Sequence, residues 1–435
     1  MSSIGSLESS NRRAVRSGAL YERIVLRALE PMSHGSLELR LPGGSVRRFG
    51  QGTNPRGSRY GLAAEIEVTG ADFFRRCFYY GDIGFAESFM AGEWNTEDLD
   101  EVISWFILNA ENSPSLSSER RRRILLRPLG WMNDLLHRLR RNSVAGSRRN
   151  ISAHYDLSNA FFELFLDPSM TYSSGLLQAP DQTLAEAQEA KYGRICEMLE
   201  LRGGERVLEI GCGWGAFSRY LVRRYGCKVT AVTISEEQVA YARAKIVEEG
   251  MEESIELRKV DYRELDGKFD RVVSIEMLEA VGHEFLDTFF AKCGQLLAPN
   301  GLLALQVITC PDSRYEAMRR STDFIQKHIF PGGMIPSLGA IVSSVSRASD
   351  LTLRELHGFA DSYARTLELW SEAFESRLDE VRALGFDEIF IRKWRYYFAY
   401  CRAAFRMRHI DVVQMLLTRP NNHAAAFAPG RHPVR

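Results

Sequence analysis

The chain is short of the features that usually fix a compartment or a partner by inspection. Cysteine is scarce: seven in 435 residues, an odd number with no CxxC pair. That argues against a disulfide framework and a structural zinc site, and no metal is expected. No apolar run approaches the roughly 18–20 residues needed to span a bilayer. Met1-Ser2-Ser3-Ile4-Gly5 lacks the basic region and apolar core of a signal peptide. The reducing cytoplasm is therefore the expected compartment. Net charge is absent as well, with 56 Lys+Arg against 56 Asp+Glu, so no global field draws the protein to nucleic acid or membrane. No internal repeat is visible. What is present is ordinary globular composition, 45% hydrophobic and 26% charged, in a chain long enough for two or three domains.

The patterning changes along the chain. Residues 1 to about 20 are polar. Alternation at Leu37–Leu41 and Ala64–Val68 predicts strands, and the aromatic-rich stretch Asp72–Trp105 reads mostly helical. Residues 113–150 concentrate arginine, with Arg120 to Arg123, Arg127, Arg138, Arg140, Arg141, Arg148 and Arg149 against Glu119 and Asp134. Trp131, Leu135, Leu136 and Leu139 are interleaved at helical spacing. Such a segment either lies on an anionic bilayer or forms a solvated linker helix packed by its apolar stripe.

From residue 200 to 310, strand and helix patterns alternate. Strands are expected at Arg206–Ile210, Lys228–Val232, Ile255–Val260, Arg271–Ile275 and Leu302–Ile308. Helices are expected at Ala216–Tyr225, from Ser235 through Glu248, and at Glu284–Leu297. Repeated βα units imply a parallel sheet with helices on both faces. An insert at 310–350, with the Pro/Gly-rich segment Phe330–Pro336, interrupts the pattern as a lid or binding wall would. Two long helical patterns, 361–384 and 387–417, close the chain.

The sharpest local signal is Glu209-Ile210-Gly211-Cys212-Gly213-Trp214-Gly215, at a strand-to-helix junction. Alternate glycines let a backbone turn pass very close to a ligand. A dinucleotide fingerprint reads GxGxxG and places its ribose-binding acid about 20 residues later. Here the acid precedes the glycines, and the second strand ends on Thr233, which counts against NAD. The pattern resembles the S-adenosylmethionine loop of Rossmann-like methyltransferases. In such sheets ligands sit at the carboxyl ends of the strands. The next two ends supply Thr233, Ile234, Ser235 and Gln238, suited to ribose hydroxyls, then Asp261 for an adenine amino group and Tyr262 as a stacking ring. Taken singly, each piece reads equally as a helix cap or a turn.

A longer pattern surrounds the loop. His154-Tyr155-Asp156-Leu157-Ser158-Asn159 precedes Phe165-Leu166-Asp167-Pro168-Ser169-Met170-Thr171-Tyr172-Ser173. LEIGCGWGAFSRY, VTISEEQ, MLEAVGHE, FIQKHIFPGG, SYARTLELW and WRYYFAYCRAAFRMRHIDVVQ follow in order. Over about residues 72–417 the chain resembles the cyclopropane-fatty-acyl-phospholipid synthase family, which includes the mycolic acid cyclopropane synthases. The resemblance implies an α/β fold: a Rossmann-like methyltransferase sheet with a helical lid or insert, plus a small N-terminal α+β domain. The expected division is an N-terminal domain at 1–112, a basic linker at 113–150, a catalytic domain at 151–420 and a tail at 421–435.

The resemblance also implies chemistry. The family transfers the methyl of S-adenosylmethionine to a cis double bond of an acyl chain. A carbocation forms, and a base removes a proton so that the ring closes. Cofactor contacts are expected at Tyr172, Ser173, Glu209, the Gly211–Gly215 loop with Cys212 and Trp214, Thr233, Ile234, Ser235, Gln238, Asp261 and Tyr262. Bicarbonate serves as base in the family. Its matching positions are Ser174, Glu279, Gln306, Ile308 through its backbone, and Tyr363. Ser174 stands where many members carry cysteine, and Gln306 and Ala280 stand where many carry histidine. Glu279 would orient the ion or act as base itself. Cys401 matches a cysteine marked as active-site in the family, though the chemistry needs no covalent intermediate. His154 and Asp156 would organise the entry segment. Phe161, Phe162, Phe165, Tyr172, Phe330, Tyr363, Tyr396 and Tyr397 are candidates for tunnel or cation walls.

The expected partners are unsaturated membrane phospholipid and the inner face of the membrane, met peripherally, with a homodimer implied by resemblance. Nucleic acid is not expected: the chain has no Asp/Asn-Pro-Pro-aromatic motif. The alternatives are a C-methyltransferase on the same scaffold giving methylene- or methyl-branched chains, and a lipid-binding homologue without catalysis.

Overall fold

A computed structural model describes residues 18–52, 61–110 and 157–422. The basic segment 113–150, His154, Asp156 and the tail beyond 422 lie outside these residues. The described chain forms two units interleaved along the sequence. The first takes in the described residues up to 110 together with Arg320–Ile329 and Trp370–His409. The second takes in 157–319, Phe330–Leu369 and the residues from Ile410 onward.

The first unit is the expected α+β arrangement. Strands β1 (Ser36–Arg40), β2 (Val46–Phe49), β3 (Ala63–Val68) and β4 (Trp94–Asn95) form a sheet in the order β2-β1-β3-β4. The alternation seen in the sequence is the buried–exposed alternation of β3. Helices Phe73–Tyr80, Asp82–Met90 and Leu99–Leu108 account for the aromatic stretch. Helix Glu388–Arg406 belongs to this unit. Its Arg392 guanidinium lies 4.0 Å over the Phe89 ring and donates to Trp94 O at 2.8 Å. Tyr396 packs on Phe324 at 4.8 Å and on Phe89 at 5.8 Å, and Tyr397 on Trp394 at 5.2 Å. These two tunnel candidates are thus core rings of the first unit.

The second unit carries a seven-stranded sheet in the order β10-β11-β9-β8-β5-β6-β7. Its strands are β5 (Arg206–Ile210), β6 (Lys228–Thr233), β7 (Ile255–Lys259), β8 (Phe269–Ile275), β9 (Leu297–Thr309), β10 (Thr352–Gly358) and β11 (Asp411–Thr418). Strands β5 to β9 pair in parallel, so the central ones are buried on both faces and read as unbroken apolar runs. The order reverses between β5 and β8, and there the carboxyl ends of two adjacent strands flank a crevice.

One expectation is corrected. The helical pattern at 387–417 ends at Arg406, and Asp411–Thr418 is β11, antiparallel to both β9 and β10. Arg408, with φ of 51°, turns the chain, and Val412, Val413, Met415, Leu416 and Leu417 then fill a central strand. An apolar run this short fits either period, and pairing on both sides decides it. The insert is helical at Asp312–Met318, Phe324–His328 and Leu338–Ala348.

Candidate functional site

The glycine loop opens from β5. Gly211, Gly213 and Gly215 have φ of 80°, 52° and 79°, in the left-handed region that side chains disfavour. The three differ in surroundings. A Cβ on Gly211 would meet Met277 Cγ at 2.6 Å, and one on Gly215 would meet Ala242 at 3.1 Å. A Cβ on Gly213 would meet nothing within 4 Å. Packing against the protein therefore excludes side chains at two positions, and Gly213 alone faces open space. The backbone N–H groups of Gly211 and Cys212 both donate to Val232 O, which ties the loop to β6. Cys212 is buried, and burial raises its thiol well above the ordinary range.

Several expected cofactor residues are engaged within the protein. Glu209 accepts a short hydrogen bond from Ser218 Oγ on the following helix, and burial pushes its carboxyl up to about 7. Trp214 Nε1 donates to Asn159 Oδ1 at 2.8 Å, and its ring lies 5.2 Å from Phe162. Thr233 Oγ1 donates to Gln238 Oε1 at 2.7 Å, while Ser235 Oγ caps the next helix by accepting from Gln238 N at 3.3 Å. Ile234 stays partly exposed between them. Asp261 is held by Arg263 through Nε at 2.8 Å and Nη2 at 2.7 Å. Tyr262 is a core ring, edge-on to Phe289 at 5.4 Å. All of these lie at successive carboxyl ends of β5, β6 and β7, as the sequence pattern requires.

Across the crevice stands the segment Thr171–Gly175. Tyr172 packs among Phe162, Phe165 and Phe330, at 5.4, 6.3 and 6.1 Å between ring centroids. Phe161 completes this group, 5.5 Å from Phe165. Ser173 is held from helix Leu184–Met198: Gln188 Nε2 donates to its carbonyl at 2.9 Å and Lys191 Nζ to its Oγ at 2.7 Å. Lys191 is fully buried, and burial lowers it to about 8 against the pull of Glu276, Asp167 and Glu209. Lys191 belongs to no motif in the sequence. The signal was two polar residues, Gln188 and Lys191, at i and i+3 on the helix face that also carries Ala187 and Ile195.

Three of the five positions expected around bicarbonate, Ser174, Gln306 and Tyr363, converge on Glu276. Glu276, the first residue past β8, accepts from Tyr363 Oη at 2.7 Å, Gln306 Nε2 at 2.7 Å and Ser174 N at 2.9 Å. Gln306 is turned toward it by Gln414 of β11, whose Nε2 donates to Gln306 Oε1 at 3.0 Å. Glu279 lies one turn on. Its Oε1 accepts from Ile308 N at 2.5 Å. Its Oε2 is shut off from solvent and meets no donor among the described residues. Burial, then the neighbouring Glu276, push Glu279 up to about 8. Burial also raises Glu276, opposed by Tyr363, Gln306 and the other donors. The insert closes on this group where Met334 N donates to Glu279 O at 2.8 Å. Cys401 lies in the first unit on helix Glu388–Arg406, and burial raises its thiol far above the range in which it would ionise.

Comparison with known proteins places this arrangement. The family model described as mycolic acid cyclopropane synthetase matches residues 142–415. Tuberculostearic acid methyltransferase UfaA1 of Mycobacterium tuberculosis is 39% identical over 79% of this chain and 81% of its own. Cyclopropane-fatty-acyl-phospholipid synthase of Escherichia coli K12 is 35% identical over 83% of this chain and 91% of its own. Among solved structures, cyclopropane synthase MmaA2 of Mycobacterium tuberculosis superposes with a TM-score of 0.58 at 33% identity, covering 62% of this chain and 98% of that one. Cyclopropane synthase CmaA1, complexed with SAH and CTAB, does so with a TM-score of 0.58 at 32% identity over the same shares. With the Rossmann-like sheet, the glycine loop and the carboxylate group at its switch point, these matches show that the chain belongs to the mycolic acid cyclopropane synthetase family.

Proposed function

We propose that this protein transfers a methyl group from S-adenosylmethionine to the cis double bond of an unsaturated phospholipid acyl chain. Loss of a proton from the resulting carbocation then gives a cyclopropane. The observation that carries the reading is a group of carboxylates and neutral donors, Glu276, Glu279, Gln306 and Tyr363, at the switch point beside the glycine loop. The residues present fit the cofactor: Gly213 leaves open space where a ligand could approach the bare backbone, and β6 and β7 end in hydroxyl, amide and carboxylate groups. When bound, S-adenosylmethionine supplies an electrophilic methyl. This chain's part is to hold the alkene in line, exclude water and remove a proton. The rings of Phe162, Phe165, Tyr172 and Phe330 would wall the cation, and water reaching it would give an alcohol.

A second reading has specific support. By resemblance, Ser174 and Gln306 stand where many family members carry cysteine and histidine, and the 39% identical relative is a methyltransferase named for tuberculostearic acid. The same cation would then yield a methylene branch. A saturated methyl branch would need a separate hydride donor. Enzyme incubated with S-adenosylmethionine and oleoyl vesicles should give a product with high-field ring protons by NMR. Vinylidene protons would instead establish the branched reading, and no mass gain would sink both. We place the reaction at the inner membrane face and expect lipid contacts and a homodimer to involve the N-terminal region, with nucleic acid not a partner. Among the described residues no helix is long and apolar enough to cross a membrane.

A further inference from the structure

The seat that resemblance assigns to bicarbonate is furnished, but its donors are taken. Tyr363 Oη, Gln306 Nε2 and Ser174 N all point at Glu276, and Ile308 N points at Glu279. Ser174 Oγ donates to Gly175 O at 2.8 Å. A bicarbonate placed here would find its donors occupied and would face two carboxyl groups at close range. Like charges in a partly desolvated site repel strongly. The residues of this chain do not fit the ion.

They fit a carboxylate of the protein's own. A carboxylate, like bicarbonate, is a planar oxyanion with its basic oxygens on one carbon. Three uncharged donors at 2.7–2.9 Å favour its ionised form. Glu279 has one such donor and one bare oxygen, so the negative charge of the pair resides on Glu276. The backbone is adapted to the task. Glu276 has φ of 48°, in the left-handed region that residues other than glycine and asparagine rarely adopt. It is pinned there by its own N–H, which donates to Gln306 O at 2.7 Å. Backbone strain held by over-determined surroundings is a mark of functional positions. The residue is half-buried, and its neighbour Met277 lies against Gly211 of the loop.

We propose that Glu276 is the general base of this enzyme and replaces bicarbonate altogether. The inference rests on the alkene-methylation reading above. In the step, a C–H bond of the carbon delivered by the cofactor breaks. Its proton moves to a Glu276 oxygen, and its electron pair becomes the closing ring bond or the new double bond. The positive charge on carbon is thereby discharged without an oxidant or a reductant. Glu276, now a carboxylic acid, returns its proton to water before the next turnover.

The test has two readouts. In carbon-dioxide-depleted buffer, wild-type turnover should stay within about twofold when bicarbonate is added, and Glu276→Gln should lose at least about 10²-fold. Glu276→Gly relieves the backbone and vacates the seat, so added bicarbonate or formate should restore part of its turnover. Independently of turnover, ¹³C-bicarbonate should show line broadening with Glu276→Gly and none with wild type. Melting temperature and S-adenosylmethionine calorimetry check each variant's fold, and if the glycine variant does not fold, the wild-type and glutamine arms still decide. Wild type that needs or binds bicarbonate, or Glu276→Gln that keeps its turnover, overturns the proposal. Wild type inert on every unsaturated phospholipid sinks the alkene reading instead, and the ¹³C arm then still decides what the seat holds.

Discussion

At the scale of single residues, the site is a problem of two carboxyl groups that share one charge. Glu279 is the acid that burial and Glu276 hold protonated, with its carboxyl at about 8 against an ordinary value of 4.5. The sign of the consequence follows from proton binding. Between those values the folded protein holds a proton that the unfolded chain releases, so this group's contribution to stability is full below about 4.5 and is lost as pH rises through about 8. Glu279→Gln removes that titration. Its melting temperature should fall less than that of wild type across this window, as differential scanning calorimetry at a series of pH values would read. Equal slopes would mean that Glu279 is ionised in the native protein. Lys191 bears on the same balance from the other side, because burial lowers it to about 8 while the nearby carboxylates oppose the loss of its charge.

At the scale of elements, the site depends on one antiparallel strand set into an otherwise parallel arrangement. β11 pairs Gln414 opposite Gln306, and their amide contact fixes which end of Gln306 faces Glu276. Gln414→Leu would leave the buried Gln306 Oε1 unpaired and free the amide to turn. A buried polar atom without its partner costs about 1–3 kcal/mol. Turnover should drop by about 10-fold or more, with S-adenosylmethionine affinity, read by calorimetry, little changed. A parallel loss of cofactor affinity would mean that the sheet itself had been disturbed. This strand also marks where the sequence stopped being legible. The βα units of 200–310 were readable because buried parallel strands are continuous apolar runs and their helices carry caps such as Ser235. β11 was not, since Val412 to Leu417 carries no period that separates strand from helix. The glycine loop could be found from its spacing. Glu276 could not: it is one glutamate three residues before another, and only the fold shows which of the two Tyr363 and Gln306 address. Nor does any pattern announce its left-handed backbone.

At the scale of the whole molecule, the proposed function requires a protein of zero net charge to reach a lipid substrate. We propose that the arginines concentrated in 113–150 supply a local attraction to the bilayer. Co-sedimentation with anionic oleoyl vesicles should weaken steeply as salt rises past about 0.15 M, where the Debye length is about 8 Å. Binding indifferent to salt would point to apolar insertion. The inserted strand has one more effect, in time rather than in space. About one hundred residues separate β9 from β11, and the ribosome adds only about 5–20 residues per second. For several seconds of synthesis β9 therefore waits with an open edge, the substrate side of the sheet incomplete. The glycine loop and its flanking strands are already present during that wait. A nascent chain would thus complete the glycine loop before Gln414 arrives to orient Gln306 toward Glu276, so the carboxylate group is the last part of the site to be assembled.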